Sequence, residues 1–287
     1  MKNTPSVLLL NSTPGRLFAA ILFACALIAA IPAYGQGAPG QGKLEARYGV
    51  TMAGITIGQA SWTVDIGNGR YASSATGKAS GMMSVLVSGE GTVSARGAVK
   101  DGKLTPSSFI STITHDDDKS DTKMTLDNGL VKELSAETQK PVADRVPVTE
   151  AHRQGVVDPV TALLIPMAAA ADGVSKEDCQ RTLPVFDGRR RYDLRLTFKR
   201  MDTVKADKGY AGPVVVCAVG FQARAGHRTS STLVKYLSEG RDIELWLAPV
   251  AGTNALAPFR ASFASMLGNL VIQAKQFEVA RQTATAK

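Results

Sequence analysis

The sequence predicts a mainly β protein of the α+β type, built on a strongly curved antiparallel sheet or open barrel. Two observations predict this fold. Short segments of alternating apolar and polar residues recur between Gly, Asn and Asp, whereas no helical period is sustained over several turns after position 35. We count about ten to twelve such segments, and a sheet of that many strands tends to curl. One or two short helices are expected to pack on its concave face.

The strand predictions follow the chain in order. Trp62–Ile66 alternates between apolar and polar side chains, and Asn128-Gly129 predicts a hairpin with a type I′ turn. Arg189–Lys199 alternates regularly, which is typical of a strand with one buried face and one solvated face. Pro213–Val219 is apolar on both faces and therefore predicts a central strand. The last predicted strands are Asp242–Leu247, Pro258–Met266 and Asn269–Val279.

One helix is predicted at Asp158–Ile165. Asp158 is a favourable N-cap and Pro159 suits the first helical position. An apolar stripe follows at positions Val160, Leu163, Leu164 and Met167. Pro166 is expected to end this helix, and Thr229–Glu239 predicts a second, weaker one.

The N-terminal segment has the pattern of a secretory signal peptide. Lys2 and Arg16 flank the apolar run Leu17–Ile31, and small residues suited to cleavage follow, ending at Gly35. The run has 15 residues, fewer than the roughly 20 that cross a membrane as a helix. We therefore expect residues 1–35 to be removed and the mature protein to be periplasmic, with no transmembrane segment.

Residues 36–287 are expected to form a single β-rich domain. A polar stretch near residues 135–157 is interpreted as a connection between an N-terminal and a C-terminal set of strands. Loss of Lys2 and Arg16 lowers the formal charge from +8 to +6, which suits a solvated surface in the periplasm. We expect no nucleic-acid partner in that compartment.

The cysteines predict one disulfide. Cys25 lies in the predicted signal peptide, which leaves Cys179 and Cys217 as a pair in an oxidising compartment. One alternative is two unpaired buried thiols. Another is a lipoprotein with Cys25 acylated, although bulky and apolar residues around Cys25 disfavour it.

Several short motifs occur in an order that resembles a family of exported bacterial proteins, domain of unknown function 3108. The resemblance extends over about Leu44 to Phe277. The motifs are Tyr48 with Gly54 and Gly58, Leu104-Thr105-Pro106, Asp158-Pro159, Phe186-Asp187-Gly188 with Tyr192, Glu244-Leu245-Trp246 and Pro258-Phe259-Arg260. The resemblance implies an exported, β-rich envelope protein and supplies no catalytic residues.

Two groups of residues are candidates for binding. The apolar group is expected to contact an apolar ligand, because Met side chains can adapt to the shape of a ligand. The members of this group are Met82, Met83, Leu86, Leu163, Leu164 and Met167. The stretch around Met82 is alternatively a structural plug at the end of the barrel. Arg189, Arg190 and Arg191 are candidates for binding an anion, and structural pairing with Asp187 and Asp193 is the preferred alternative.

Two histidine motifs are weak signals of chemistry. His115 precedes three aspartates, but we interpret this run as a solvated turn and expect neither a metal ion nor a cofactor. His227 lies close to Ser230 and Ser231, although neighbouring residues rarely reach the geometry of a nucleophile and its base. The sequence contains no G-x-S-x-G, H-E-x-x-H, Walker or C-x-x-C motif.

The resulting functional hypothesis is a non-enzymatic periplasmic protein that holds a lipid-like or apolar ligand, or an envelope partner, in a β-enclosed interior. A scaffolding envelope factor with a packed core is the alternative, and a periplasmic hydrolase is the third hypothesis. Ligand-sized apolar space inside the sheet distinguishes the first hypothesis from the second.

Overall fold

The computed structural model describes residues 41–80, 89–115, 118–137, 142–168, 173–239, 242–265 and 268–280. Within these ranges the chain forms fifteen strands, one α-helix and three 3₁₀ turns. The strands are β1 (Gly42–Met52), β2 (Ile55–Gly67), β3 (Arg70–Ala79), β4 (Gly89–Lys100), β5 (Lys103–His115), β6 (Asp118–Asp127), β7 (Leu130–Ala136), β8 (Ile165–Pro166), β9 (Arg181–Phe186), β10 (Arg191–Lys205), β11 (Lys208–Gly209), β12 (Ala211–Ala225), β13 (Ile243–Val250), β14 (Ala255–Ser265) and β15 (Gly268–Ala280). The helix is α1 (Thr232–Ser238), and the 3₁₀ turns are Glu150–Arg153, Thr161–Leu163 and Lys176–Cys179.

The prediction of a mainly β chain is confirmed, but the predicted number of strands is too low. The structure has fifteen strands in its described residues instead of ten to twelve. Two of the additional strands, β8 and β11, contain two residues each, which is too short for an alternating pattern. The predicted signal peptide, residues 1–35, lies outside the described residues.

All fifteen strands belong to one sheet. Its order is β7-β6-β5-β4-β3-β2-β1-β15-β14-β13-β12-β10-β9, with β8 beside β14 and β11 beside β15. Pairing between these strands is antiparallel except for β11 with β15. Successive hairpins build the N-terminal half, β1 to β7, and the pairing of β1 with β15 joins it to the C-terminal half.

The sheet is open, and its two edge strands are bridged by the segment that follows β7. Val156 N donates to Gly129 O at the turn after β6, over 3.0 Å. The next residue, Val157, donates to Pro184 O on β9 and accepts from Phe186 N, each over 2.9 Å. The two ends of the sheet are thereby held close, as expected for a strongly curved sheet.

Local sequence determines several of the elements. Asn128 and Gly129 have φ angles of +46° and +78°, as a type I′ turn requires, so the predicted hairpin between β6 and β7 is confirmed. The prediction of a central strand at Pro213–Val219 is also confirmed, because β12 lies between β10 and β13. Its residues 214–217 are fully buried on both faces.

The apolar residues form two clusters. The first joins both halves of the sheet and includes Leu44, Met124, Phe186, Phe259 and Phe277, all nearly inaccessible to solvent. Full burial of one such side chain contributes roughly 1.5–3 kcal/mol. The second cluster surrounds the two cysteines on β12 and the 3₁₀ turn Lys176–Cys179.

The prediction of a helix at Asp158–Ile165 is wrong. Only a 3₁₀ turn forms there, at Thr161–Leu163, and Ile165–Pro166 becomes β8, which pairs with Ala255 and Leu256. Pro166 lacks an N–H and disfavours a helical conformation for Ile165, and Ile165 is instead extended and paired in β8. The second predicted helix is confirmed as α1, with shorter bounds than Thr229–Glu239.

In the described ranges, none of the helical segments combines the length and the apolar character that crossing a membrane requires.

Candidate ligand-binding cavity

A cavity of about 570 Å³ lies between the two halves of the curved sheet. Strands β1–β4 line it on one side, with Trp62 and Ala75 among the contributors. Strands β10 and β12–β15 line the other side, with Leu194, Phe221 and Ile272 among theirs. The lining is predominantly apolar, and the volume is within the range of pockets that hold small molecules.

In two aromatic side chains of the cavity wall, Tyr48 and Trp62, the polar atom has a hydrogen-bond partner. Tyr48 Oη donates to Pro258 O over 2.8 Å, and Trp62 Nε1 donates to Ser73 Oγ over 2.7 Å. Burial raises the pKa of Tyr48, so its phenol stays protonated and available as this donor. Because these polar groups already have partners, the rings contribute apolar surface to the cavity.

Helix α1 and the 3₁₀ turn Thr161–Leu163 border the cavity where it meets solvent. Leu233 on α1 is 64% exposed and Leu163 on the turn is 38% exposed, yet both line the cavity. The helix starts at Ser231, whose Oγ accepts from Val234 N. It is also attached to the sheet by a hydrogen bond from Tyr236 Oη to Ala264 O. Two exposed leucines therefore lie beside this opening.

A buried carboxylate fixes the turn that carries Leu163. Asp158 accepts hydrogen bonds from the backbone N–H groups of Val160 and Thr161, each over 2.9 Å, and from Thr161 Oγ1 over 2.5 Å. Thr161 Oγ1 also lies 2.6 Å from Tyr71 Oη. Burial raises the pKa of Asp158, and the hydrogen bonds oppose this effect. Asp158 thus has the local capping role predicted for it, in a 3₁₀ turn and not in a helix.

The three consecutive arginines do not converge on one anion site. Arg189 contacts Ser120 Oγ at 2.6 Å and Glu137 at 3.4 Å, and Arg190 pairs with Asp187 at 3.2 Å. Arg191 pairs with Asp193 at 2.5 Å. Asp193 also binds Arg224 at 2.7 Å. Each arginine therefore has its own protein partners, although Arg190 and Arg191 line one end of the cavity.

Burial acts on the pKa of Asp193 in the opposite direction from its two arginine partners. Removal from water raises the pKa of a carboxyl group, whereas hydrogen bonds from Arg191 and Arg224 lower it. The net pKa is below the ordinary value, so Asp193 stays ionised near neutral pH. The Arg191–Asp193–Arg224 group is therefore a stable ionic cluster next to the cavity.

A disulfide joins Cys179 to Cys217, with the two Cα atoms 5.4 Å apart. Both cysteines are fully buried in the second apolar cluster. Val219, Leu245 and Ala261 pack in this cluster and also line the cavity. The disulfide consequently anchors the cluster on which one wall of the cavity is built.

Only part of the predicted apolar ligand group is brought to the cavity. Leu163 lines it, whereas Leu164 is buried in the first cluster and Met167 packs against the second. The other three predicted residues, Met82, Met83 and Leu86, lie outside the described residues. Sequence reasoning missed Tyr48 and Phe221 as cavity-lining residues. The signal that could have indicated them is an apolar side chain in a strand where apolar and polar residues alternate.

The residues considered for catalysis or metal binding have other positions. His227 lines the cavity, but Ser231 Oγ caps α1. Asp116 and Asp117 of the His115 motif lie outside the described residues. In the part of the chain that the structure describes, no three His, Cys, Asp or Glu side chains are arranged to hold a metal ion.

Comparison with known proteins gives two similar solved structures and identifies a family. The chain is similar to the crystal structure of a beta-barrel-like protein of domain of unknown function DUF1849 from Brucella abortus, with a TM-score of 0.46, 9% identity, and coverage of 85% of this chain and 100% of the other. It is also similar to a candidate lipoprotein from Parabacteroides distasonis ATCC 8503, with a TM-score of 0.33, 9% identity, and coverage of 84% and 97%. No curated protein matches the sequence. The model of the protein family of unknown function DUF3108 matches residues 47–275, most of the fold described above, and the chain belongs to this family.

Proposed function

We propose that the protein is exported to the periplasm and binds one lipid-like or other apolar molecule in the cavity between the halves of its sheet, without catalysing a reaction on it. The observation that carries this proposal is the cavity of about 570 Å³ with a predominantly apolar lining. Apolar cavities of ligand size bind apolar molecules because little ordered water has to be displaced.

The opening of the cavity supports the same role. Leu163 and Leu233 expose apolar surface beside it, and three residues of α1 line it although none of the helix is fully buried. An element with few buried contacts moves at low energetic cost. In this proposal an apolar molecule enters next to α1 and is then enclosed by the sheet.

Export is supported by the signal-peptide pattern of residues 1–35 and by the Cys179–Cys217 disulfide, because disulfides persist in oxidising compartments. Intact mass measurement of protein from the periplasmic fraction tests this part. A chain beginning near Gln36 is expected. A chain beginning at an acylated Cys25 overturns the proposal of a soluble periplasmic protein.

Ligand binding is tested by reducing the volume of the cavity. Ala75 on β3 lines the cavity, so Ala75→Phe places a ring where the ligand is proposed to lie. Ala72 on the same strand is exposed, and Ala72→Phe is the matched control. The measurement is the fluorescence of the neutral probe N-phenyl-1-naphthylamine, which increases in apolar surroundings.

We expect the wild type and Ala72→Phe to bind the probe equally, and Ala75→Phe to bind it about tenfold more weakly because the added ring occupies part of the cavity that the probe would fill. Thermal unfolding of all three proteins verifies that they are folded. Equal binding by both variants contradicts the proposed site. No binding by the wild type contradicts the proposed function and favours a scaffolding role.

A further inference from the structure

The arginines that line the cavity differ in their partners. Arg190 pairs with Asp187 and Arg191 pairs with Asp193. Arg260 on β14 also lines the cavity, but among the described residues it forms no salt bridge, and its Nε is buried without a hydrogen-bond partner. Among the described residues, Arg260 is therefore the cavity-lining arginine without a carboxylate in direct contact, although its charge helps to lower the pKa of Asp202.

The acidic residues around Arg260 bind other groups. Asp202 accepts hydrogen bonds from Trp246 Nε1 over 2.9 Å and from Thr203 N over 2.7 Å. Glu244, which also borders the cavity, forms salt bridges with Lys199 and with Arg200, the latter at 2.9 Å. Neither carboxylate forms a hydrogen bond or a salt bridge with Arg260, so N–H donors of Arg260 remain for another acceptor.

Trp246 orients the guanidinium of Arg260. The Arg260 Cζ atom lies 4.8 Å from the centroid of the Trp246 ring, and Arg200 Cζ lies 5.3 Å from it. Stacking on an aromatic ring leaves the edge of a guanidinium, where its N–H donors lie, available to an anion. Arg260 also borders a polar groove that contains Trp246 and Asp202, so it lies between polar and apolar surroundings.

Resting on the proposed function, we propose that the ligand is an amphiphile with a single anionic head, a carboxylate or a phosphate, which binds Arg260 while its apolar chain occupies the cavity. Leu245 and Ala261 supply apolar surface of the cavity. Phe221 and Leu194 continue it. A charged hydrogen bond at such a boundary favours an anionic over a neutral head.

The proposal is tested with three ligands that share one chain length: dodecanoate, dodecyl phosphate and dodecan-1-ol. Their ability to displace N-phenyl-1-naphthylamine is measured for the wild type, Arg260→Gln and Arg260→Lys. Arg195→Gln, an exposed position on β10, is the control for a change in net charge. Acetate and inorganic phosphate test whether the head binds without a chain.

For the wild type and Arg195→Gln we expect the better of the two anionic ligands to displace the probe at about tenfold lower concentration than the alcohol. Arg260→Gln removes this preference, measured relative to each variant's own affinity for the probe, whereas Arg260→Lys retains part of it. Acetate and inorganic phosphate do not displace the probe.

A preference that survives in Arg260→Gln, or a wild type without any preference, overturns the assignment of the anionic head while the neutral probe still binds. Displacement of the probe by acetate or by inorganic phosphate also overturns the assignment of the anionic head, because such displacement indicates a site for free anions. A wild type that does not bind the probe instead contradicts the proposed function, so the two failures are distinguishable.

Discussion

Asp144 illustrates how one half-buried side chain holds two distant segments together. Its carboxylate accepts from Ser230 N and from Arg228 Nε, each over 3.0 Å, and its backbone O accepts from Thr229 N. The hydrogen bonds from Ser230, followed by the contact with Arg228, lower the pKa of Asp144 to about 2. This residue therefore attaches the turn before α1 to the segment after β7.

The contribution of Asp144 to stability is expected to depend on pH. Its pKa in the folded state is below the ordinary value of 3.8, so the unfolded chain binds more protons between these values. The contribution is complete above about pH 5 and is lost as the pH falls toward 2. Denaturant unfolding of the wild type and Asp144→Asn from pH 6 to pH 2 is the measurement, with Asp101→Asn in an exposed turn as control.

We expect the difference in free energy of unfolding between the wild type and Asp144→Asn to shrink steadily as the pH falls. Asp101→Asn should follow the wild type throughout. A difference that is constant with pH contradicts the assigned role of Asp144.

The disulfide is expected to contribute substantially to stability. Cys179 and Cys217 are separated by 38 residues, for which the chain-entropy model gives roughly 4 kcal/mol. Cys217→Ser should lower the midpoint of thermal unfolding under oxidising conditions. Addition of a reductant should bring the wild type close to the variant, and an unchanged midpoint in oxidised Cys217→Ser contradicts this account.

At the scale of elements, hairpins and buried strands were predictable because their signals are local. Two residues tolerant of positive φ specify the turn at Asn128-Gly129, and consecutive apolar residues specify β12. The number of strands was underestimated because strands such as β4 carry few apolar residues, so their pairing partners and not their own pattern define them.

The turn after Asp158 was predicted as a helix because capping and apolar periodicity agree there. Pro166 and the pairing of β8 with β14 outweigh these signals. The hydrogen bonds from Thr161 to Asp158 and Tyr71 attach this turn to β3, a partner that no local pattern specifies.

This attachment can be measured. Thr161→Val has nearly the same shape but lacks the hydroxyl, so it removes one of the three hydrogen bonds of Asp158 and the hydrogen bond with Tyr71, and it should lower the free energy of unfolding by about 2 kcal/mol. Combined with Tyr71→Phe it should cost less than the sum of the single changes, because the groups share one network. Exposed Thr182→Val is the control, and strictly additive effects contradict a shared network.

At the scale of the whole molecule, the candidate site was the least predictable feature. Its lining comes from both halves of the sheet and from α1, and it is brought together by the β1–β15 pairing and by the bridge at Val156 and Val157. Because this curvature results from contacts between distant parts of the chain, the sequence of any one segment does not indicate it. The sequence predicted an enclosed apolar interior, but of the apolar candidates that the structure describes only Leu163 lines the cavity, together with Arg190 and Arg191 of the anion candidates.

The proposed function depends on an apolar ligand that occupies the cavity of the curved sheet. Native mass spectrometry of the protein, purified gently and without detergent, detects such a ligand. We expect a population heavier than the bare chain by one small apolar molecule, which solvent extraction removes. Detection of the bare chain alone, before and after incubation with apolar ligands, would contradict it.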